Sequence, residues 1–528
     1  MRSVETVLFL VVVATVVATF ARRIRVPAPS LLVVAGVVVG LLPGVPTVQI
    51  TPDIVSLVVL PPLLYAAGEE LPWRELRAVW KPVTALAVGL VLATAAAVAA
   101  VVVAITGLPL GMALVLGTVL ASTDPVAVTA LGRRLSLPTR VQVLVQAESL
   151  FNDATSLLLF RVAVTFAVTT GALSVGHTAG EFVLLAGGGA AVGGLVAAGV
   201  LLIRRRTEDP VLETVIALVT PYAAYVLAES VHASGVTAVV VASVVIGARS
   251  TDLSSARIRL QVGAVSQTVV FLLESVVFGL IGLELPNLIR DVSGVSAKWP
   301  LEALAITATL VVIRVLWVFP LAALAQRRGG ARPSWQVPAV VSWAGARGVV
   351  PLAAALSIPL TTADGGPLAG RDLALLLSSA VIVITLVVQG FTLAPLVRRA
   401  GIAIPRDDLR REYTSTRLRL VNTGLAHLDE LADQRQLPDS VLDPLRDRLR
   451  ARVLRLRSEA LTDDAPDDPP EQPAEITPSA YRRLRRDLVA VQQAELARLF
   501  DQGEVTDATR RGLQRLLDLE DVGLGDEL

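Results

Sequence analysis

Thirteen apolar stretches follow one another through the first 400 residues, near 4–21, 29–43, 53–68, 82–105, 110–131, 142–168, 181–203, 212–229, 235–248, 262–285, 301–325, 336–358 and 373–397. A bilayer core about 30 Å thick is crossed by about 17–25 helical residues. In hydrocarbon every backbone polar group must be satisfied within the segment, which leaves helices for stretches of this kind. The composition agrees, with 53% apolar and 18% charged residues and a mean hydropathy of +0.65. Such a chain cannot cover its own surface with polar groups. The first stretch has no clear small-residue cleavage site and is followed by further spans, so it reads as a retained helix. The expectation is an all-α polytopic membrane protein of about 13 transmembrane helices.

Loop charge tests this reading independently, because cytoplasmic loops concentrate Lys and Arg. Alternate loops carry Arg22, Arg23 and Arg25; Arg74, Arg77 and Lys81; Arg133, Arg134 and Arg140; Arg204 to Arg206; Arg249, Arg257 and Arg259; and Arg327, Arg328 and Arg332. The intervening loops hold Arg290, Lys298 and Arg371, an 18 to 3 division that would blur if one span were miscounted. The N-terminus is expected outside and the C-terminal tail inside, in the cytoplasmic membrane. Residues 401–528 carry 20 Arg and 26 Asp or Glu, far denser in charge than the body. That shift divides the chain into a transmembrane part, 1–400, and a cytosolic tail, 401–528. The tail is expected to be helical near 406–436, 440–462, 479–502 and 506–520, with an acidic Pro-rich linker over 463–477.

The charges inside spans are few. They are Arg161, Arg314 and Arg347, with Asp124, Glu148, Asp153 and Glu274, and Glu69, Glu70, Glu229 and Glu284 nearer span ends. A charge at mid-membrane is costly unless paired or hydrated, so function is sought among these. Span five reads Ser122-Thr123-Asp124-Pro125, where Pro125 disfavours helix at Asp124 and frees backbone carbonyls. Span six carries Glu148-Ser149-Leu150-Phe151-Asn152-Asp153; Ser149 and Asp153 share one face four residues apart, as do Glu148 and Asn152. Oxygen-rich sets of this kind suit a hard cation. In span twelve, Gly345, Gly348 and Pro351 surround Arg347 and mark a second interrupted helix. Broken helices at corresponding places in two halves point to a transport site at the midplane, as in inverted-repeat transporters. Glu274 and Arg314, in neighbouring spans, are candidates for an intramembrane ion pair.

Other classes fit poorly. No cysteine is present and His177, His232 and His427 lie far apart, which leaves neither thiol chemistry nor a His-based metal site. The net charge of +1 carries no nucleic-acid signal. No phosphate-binding loop occurs, in keeping with a secondary transporter without a cofactor. An intramembrane aspartyl protease would also use two carboxylates, but the Gly-x-Gly-Asp string at Gly523 to Asp526 lies in the tail, far from any span. A passive cation channel differs only in lacking obligatory coupling to protons.

Ser122 to Pro125, Glu148 to Asp153 and Gly345-Ala346-Arg347-Gly348 resemble the signature of the monovalent cation:proton antiporter-1 family, the NhaP-like sodium/proton exchangers. Leu60-Pro61-Pro62-Leu63-Leu64-Tyr65 and Phe271-Leu272-Leu273-Glu274 add to the likeness, and the end of the tail, Gly503 to Glu520, is similar to that of bacterial members. The resemblance implies inverted repeats with crossed broken helices, a transport bundle, a homodimer in membrane lipid, and exchange of sodium, or alternatively potassium or lithium, for protons. It further implies that Asp124, Asp153, Ser149 and the Thr123 carbonyl ligate the cation, that Asn152 holds the broken segment, and that Glu148 pairs with Arg347. Asn152 accompanies electroneutral exchange in the family. Ala66 and Ala67 stand where some relatives have a Glu, with Glu69 and Glu70 about one turn further on.

Overall fold

The computed structural model describes residues 28–42, 55–125, 137–169, 175–249, 255–291, 298–328, 334–363, 365–434, 439–459 and 478–524, with parts of 12–20. The expected first span and the 463–477 linker therefore lie largely or wholly outside the described residues. Among the described residues the chain is helical, with one isolated bridge between Thr361 and Pro367. Each expected span after the first overlaps a described helix, although the end of the fifth, 126–131, lies outside the described residues. In chain order these are α1 (Ala28–Gly40), α2 (Leu60–Glu69), α3 (Trp73–Thr106), α4 (Leu110–Ala121), α5 (Thr139–Val168), α6 (Val175–Arg204) and α7 (Pro210–Ser230). There follow α8 (Gly235–Gly247), α9 (Ala256–Asp291), α10 (Trp299–Arg328), α11 (Gln336–Trp343), α12 (Val349–Leu356) and α13 (Arg371–Ala400). Seven of the described helices are long and apolar enough to cross a bilayer.

Irregularities have local causes. Pro82 inside α3 removes one backbone donor, and a π-helical stretch, Ala85–Leu90, follows it. The widened turn takes an indole from α10: Trp317 Nε1 donates to the Ala85 carbonyl at 3.2 Å, and a Cβ on Gly89 would overlap the Trp317 ring. A second π turn, Val55–Val59, leads into α2 just before Pro61 and Pro62.

Lipid is as apolar as the side chains, so helices associate through close packing rather than burial from water. Glycines supply it. Gly36 and Gly40 of α1 lie against the backbone of α9 at Gly279, Gly282 and Leu283, where a Cβ would overlap main-chain atoms. Gly189 and Gly193 of α6 lie likewise against Ser234 and Ala238 at the start of α8. The helices α3, α4, α5, α10, α11, α12 and α13 pack on one another as one group, while α8 packs on α2 and α6. Side chains such as Leu195, Leu301 and Leu316 point outward, as lipid contact requires.

Residues 404–528, with 208–210 and 254–263, form a separate compact unit. Its helices are α14 (Arg406–Asp433), α15 (Asp439–Glu459), α16 (Pro478–Gln502) and α17 (Asp507–Gly523). Pro444 sits inside α15, near its start, without ending the helix. The core joins Leu420, Val489, Leu496, Leu499, Leu513 and Leu517, with a second cluster around Leu428, Leu445 and Leu488. Thr506 caps α17, its hydroxyl accepting from the Thr509 amide at 3.4 Å. Within this unit Asp518 is buried and accepts a forked contact from Arg259, with Nε to Oδ2 at 3.0 Å. Gln493 and Gln514 donate to the same carboxylate.

Candidate ion site

Helix α4 stops at Ala121, and Ser122 turns extended with ψ 147°. The non-helical run Ser122 to Pro125 crosses the break between α11 and α12: the Asp124 amide donates to the Ala346 carbonyl at 2.7 Å. Both interruptions thus fall where Pro125 and the glycines around Arg347 place them, and the two broken segments meet. Ser122, Thr123, Asp124, Glu148, Ser149, Asn152, Asp153 and Arg347 are all buried.

A helix that ends inside a membrane leaves its last carbonyls without intrahelical partners. Here other side chains take them. Ser156 Oγ donates to the Thr118 carbonyl at 2.6 Å, and Arg347 Nε to the Leu120 carbonyl at 3.0 Å. At the other break Arg314 Nε donates to the Val341 carbonyl at 3.2 Å, and Arg347 also donates to the Gly345 carbonyl. Each arginine therefore sits at the C-terminal end of a half-helix, the end that favours positive charge. The Arg347 amide itself donates to Thr385 Oγ1 of α13 at 3.2 Å.

Asn152 grips the extended strand from α5, its Nδ2 donating to Thr123 Oγ1 at 2.7 Å and its Oδ1 accepting from the Thr123 amide at 3.4 Å. Ser149 Oγ donates to the Thr123 carbonyl at 2.5 Å, and Ser122 Oγ to Asp153 Oδ1 at 2.5 Å. A Cβ on Gly348 would overlap the Asp124 carboxylate, so that carboxylate lies against the N-terminal end of α12, where negative charge is favoured.

The ion pairing differs from both expectations. Glu148 does not pair with Arg347, and Glu274 is not the partner of Arg314. Instead Arg314 grips Glu148 through two bonds, Nη1 to Oε1 at 2.5 Å and Nη2 to Oε2 at 2.9 Å, with both side chains at most 2% exposed. The forked guanidinium matches a carboxylate edge on, and α10 lies close enough to place it there. Arg347 is turned toward the carbonyls of the two breaks instead.

Thr123, Asp124, Ser149 and Asp153 open together onto one cavity of about 90 Å³. Leu63, Leu64 and Ala67 of α2, Glu274 of α9 and Val349 to Pro351 complete its wall. Ala67, one of the positions where some relatives have a Glu, is on the wall; Glu69 and Glu70 are not. Sequence reasoning passed over Ser122 as a partner of Asp153 and Thr385 as a support for Arg347. Ser122 lay in plain view beside Asp124, whereas nothing local singles out Thr385 among the polar residues of α13, which include Ser378, Ser379 and Gln389.

Known proteins resemble this chain over most of its length. The transmembrane sodium/hydrogen exchanger family matches residues 10–399. A Na+/H+ exchanger of Mycobacterium tuberculosis is 34% identical, covering 98% of this chain and 96% of the relative. The Na+/H+ antiporter ApNhaP of Aphanothece halophytica is 31% identical over 78% of this chain and 77% of its own length. The solved structure of the sodium proton antiporter MjNhaP1 from Methanocaldococcus jannaschii superposes with a TM-score of 0.62 at 20% identity, covering 76% of this chain and 99% of that one. The family match over residues 10–399 and the 34% identity to a relative along 98% of the chain place this protein in the sodium/hydrogen exchanger family.

Proposed function

We propose that the protein is a secondary antiporter exchanging a monovalent cation, sodium foremost, for a proton across the cytoplasmic membrane. The observation that carries this is the meeting of Asp124, Asp153, Ser149 and Thr123 on one cavity where two helices break. A monovalent cation leaving water needs oxygens to replace its hydration shell, and this wall offers two carboxylates, a hydroxyl and a main-chain carbonyl. An ionised carboxylate in apolar surroundings is costly, so either a cation or a proton must neutralise it. Mutual exclusion of the two on Asp124 and Asp153 is what couples their flows. Asn152 holds the extended segment in register, and the Glu148–Arg314 and Arg347 contacts brace the two half-helices around it. With a neutral amide at position 152, one cation replaces one proton and the exchange is electroneutral. Arginine-rich loops put the 401–528 tail on the cytoplasmic face and the N-terminus outside. The assembly is a homodimer in membrane lipid.

The test is cation-induced dequenching of a pH-sensitive dye in sealed vesicles energised by respiration, with sodium, lithium and potassium added in turn. Dequenching on addition of sodium is the expected result. A cation flux that proceeds without any counter-movement of protons would make the protein a channel and end the reading.

A further inference from the structure

A further charged side chain within a span is Arg161. It lies eight residues after Asp153 on α5, about 12 Å further along the helix axis. It is ion-paired with Glu229, at the end of α7, and the two side chains are 38% and 33% exposed. Both lie toward the helix ends opposite the arginine-rich loops, since α5 begins beside Arg140 and α7 follows Arg204 to Arg206.

The acceptor is held by its own hairpin. Glu229 Oε1 also accepts from the Gly235 amide at 3.1 Å, and a Cβ on Gly235 would overlap the Tyr225 ring. The turn between α7 and α8 places His232 at φ 57°, and Ser234 is tied back to α6 by its amide on the Leu185 carbonyl at 3.1 Å. Ser234 Oγ in turn caps α8 at the Thr237 amide. The carboxylate is thus a fixed point on the α6–α8 side, while Arg161 belongs to the helix that carries Ser149, Asn152 and Asp153. Helix α5 also packs directly on α2, α6 and α8, and the ion pair adds a charged tie at the membrane end remote from the arginine-rich loops.

We propose that Arg161–Glu229 is a latch that sets which face the ion site opens to. Closed, it holds the end of α5 remote from the arginine-rich loops against the α7–α8 hairpin, so the site faces the arginine-rich side. It parts when α5 moves relative to the hairpin and the site opens to the opposite face. The inference rests on the exchange reading above. A half-exposed pair biases such an equilibrium by about fivefold, equivalent to about 1 kcal/mol. Removing it cannot change the equilibrium of the overall exchange, which the ion gradients alone determine. It can only redistribute the carrier between its two facings.

The experiment compares the unmodified protein with Arg161→Gln, Glu229→Gln and the double variant, in right-side-out and inverted membrane vesicles. Glutamine at 229 keeps an oxygen for the Gly235 amide, so the hairpin survives the loss of charge. Each single variant should lower the sodium KM at the face remote from the arginine-rich loops and raise it at the other, changing their ratio by about fivefold. The double variant should match the singles rather than add to them. A merely structural role would lower the amount of folded protein and leave that ratio untouched. Because the chain has no cysteine, an Ala67→Cys reporter on the cavity wall gives a second reading with a membrane-impermeant thiol reagent. Labelling from the remote face should quicken in the latch variants. Exchange in every variant with an unchanged KM ratio and unchanged labelling overturns the latch. Absence of sodium-driven proton movement in the unmodified protein overturns the exchange reading instead, and the labelling still decides the latch.

Discussion

Glu148 and Arg314 are each nearly inaccessible, and each is the other's main compensation. Removing one partner of a buried pair strands the other charge, at a cost of about 3–5 kcal/mol. Glu148→Gln and Arg314→Gln should each lower the thermal unfolding midpoint in detergent, and the double variant should be more stable than the sum of the singles. Strict additivity would show that the two do not interact. Asp124 and Asp153 belong to a different category, since both line the cavity. Asp124→Asn and Asp153→Asn keep size and hydrogen bonding while removing the titrating group. Each should abolish exchange with folded protein still in the membrane; full activity in either would take that aspartate out of the mechanism. The partner choice itself was not legible in the sequence. Two acids and two arginines at membrane depth announce that ion pairing must occur, but which pairs with which depends on how α10 and α11 lie beside α5.

Among the elements, the broken helices were the most legible, because Pro125, Gly345 and Gly348 act through local backbone chemistry that needs no neighbour. What Gly348 makes room for was not, since the Asp124 carboxylate arrives from the extended run that follows α4. Gly348→Ala adds one methyl at that contact and should displace the carboxylate. The sodium KM should rise tenfold or more while Gly180→Ala, where the added Cβ meets nothing, leaves it unchanged. In the tail, Arg498 donates through Nε and Nη2 to the two Glu495 carboxylate oxygens, each at 2.7 Å, and holds that carboxyl below the usual carboxylate range, with Arg419 adding to the effect. A carboxyl whose folded value is depressed contributes stability above its unfolded value, near pH 4.3, and loses it as pH falls through the folded value. Amide-exchange protection of α14 and α16, corrected for intrinsic rate, should therefore fall as pH drops below about 4.3. In Glu495→Gln protection should start lower, and its fall with acid should be shallower.

For the whole molecule, the electroneutral reading makes a physical demand. A membrane potential of 100 mV contributes about 2.3 kcal/mol per net charge moved, a shift of about fiftyfold in the attainable ion ratio. In proteoliposomes clamped with potassium and valinomycin, after potassium transport has been ruled out, the reversal point of sodium-driven proton flux should not move with the potential. A shift of that size would mean that a second charge travels in each cycle. The succession of spans, the charged tail and the interrupted helices were all readable from the chain. Hydrocarbon forces each span to satisfy its own backbone, so apolar length, proline, glycine and loop arginine are sufficient signals for them. The Glu148–Arg314 pair, the cap of Arg347 on the Leu120 carbonyl, the Thr385 support and the common cavity of Asp124 and Asp153 were decided only by the tertiary structure. Each of these joins residues from different helices, and in lipid the choice of neighbouring helix comes from close packing, which no single segment encodes.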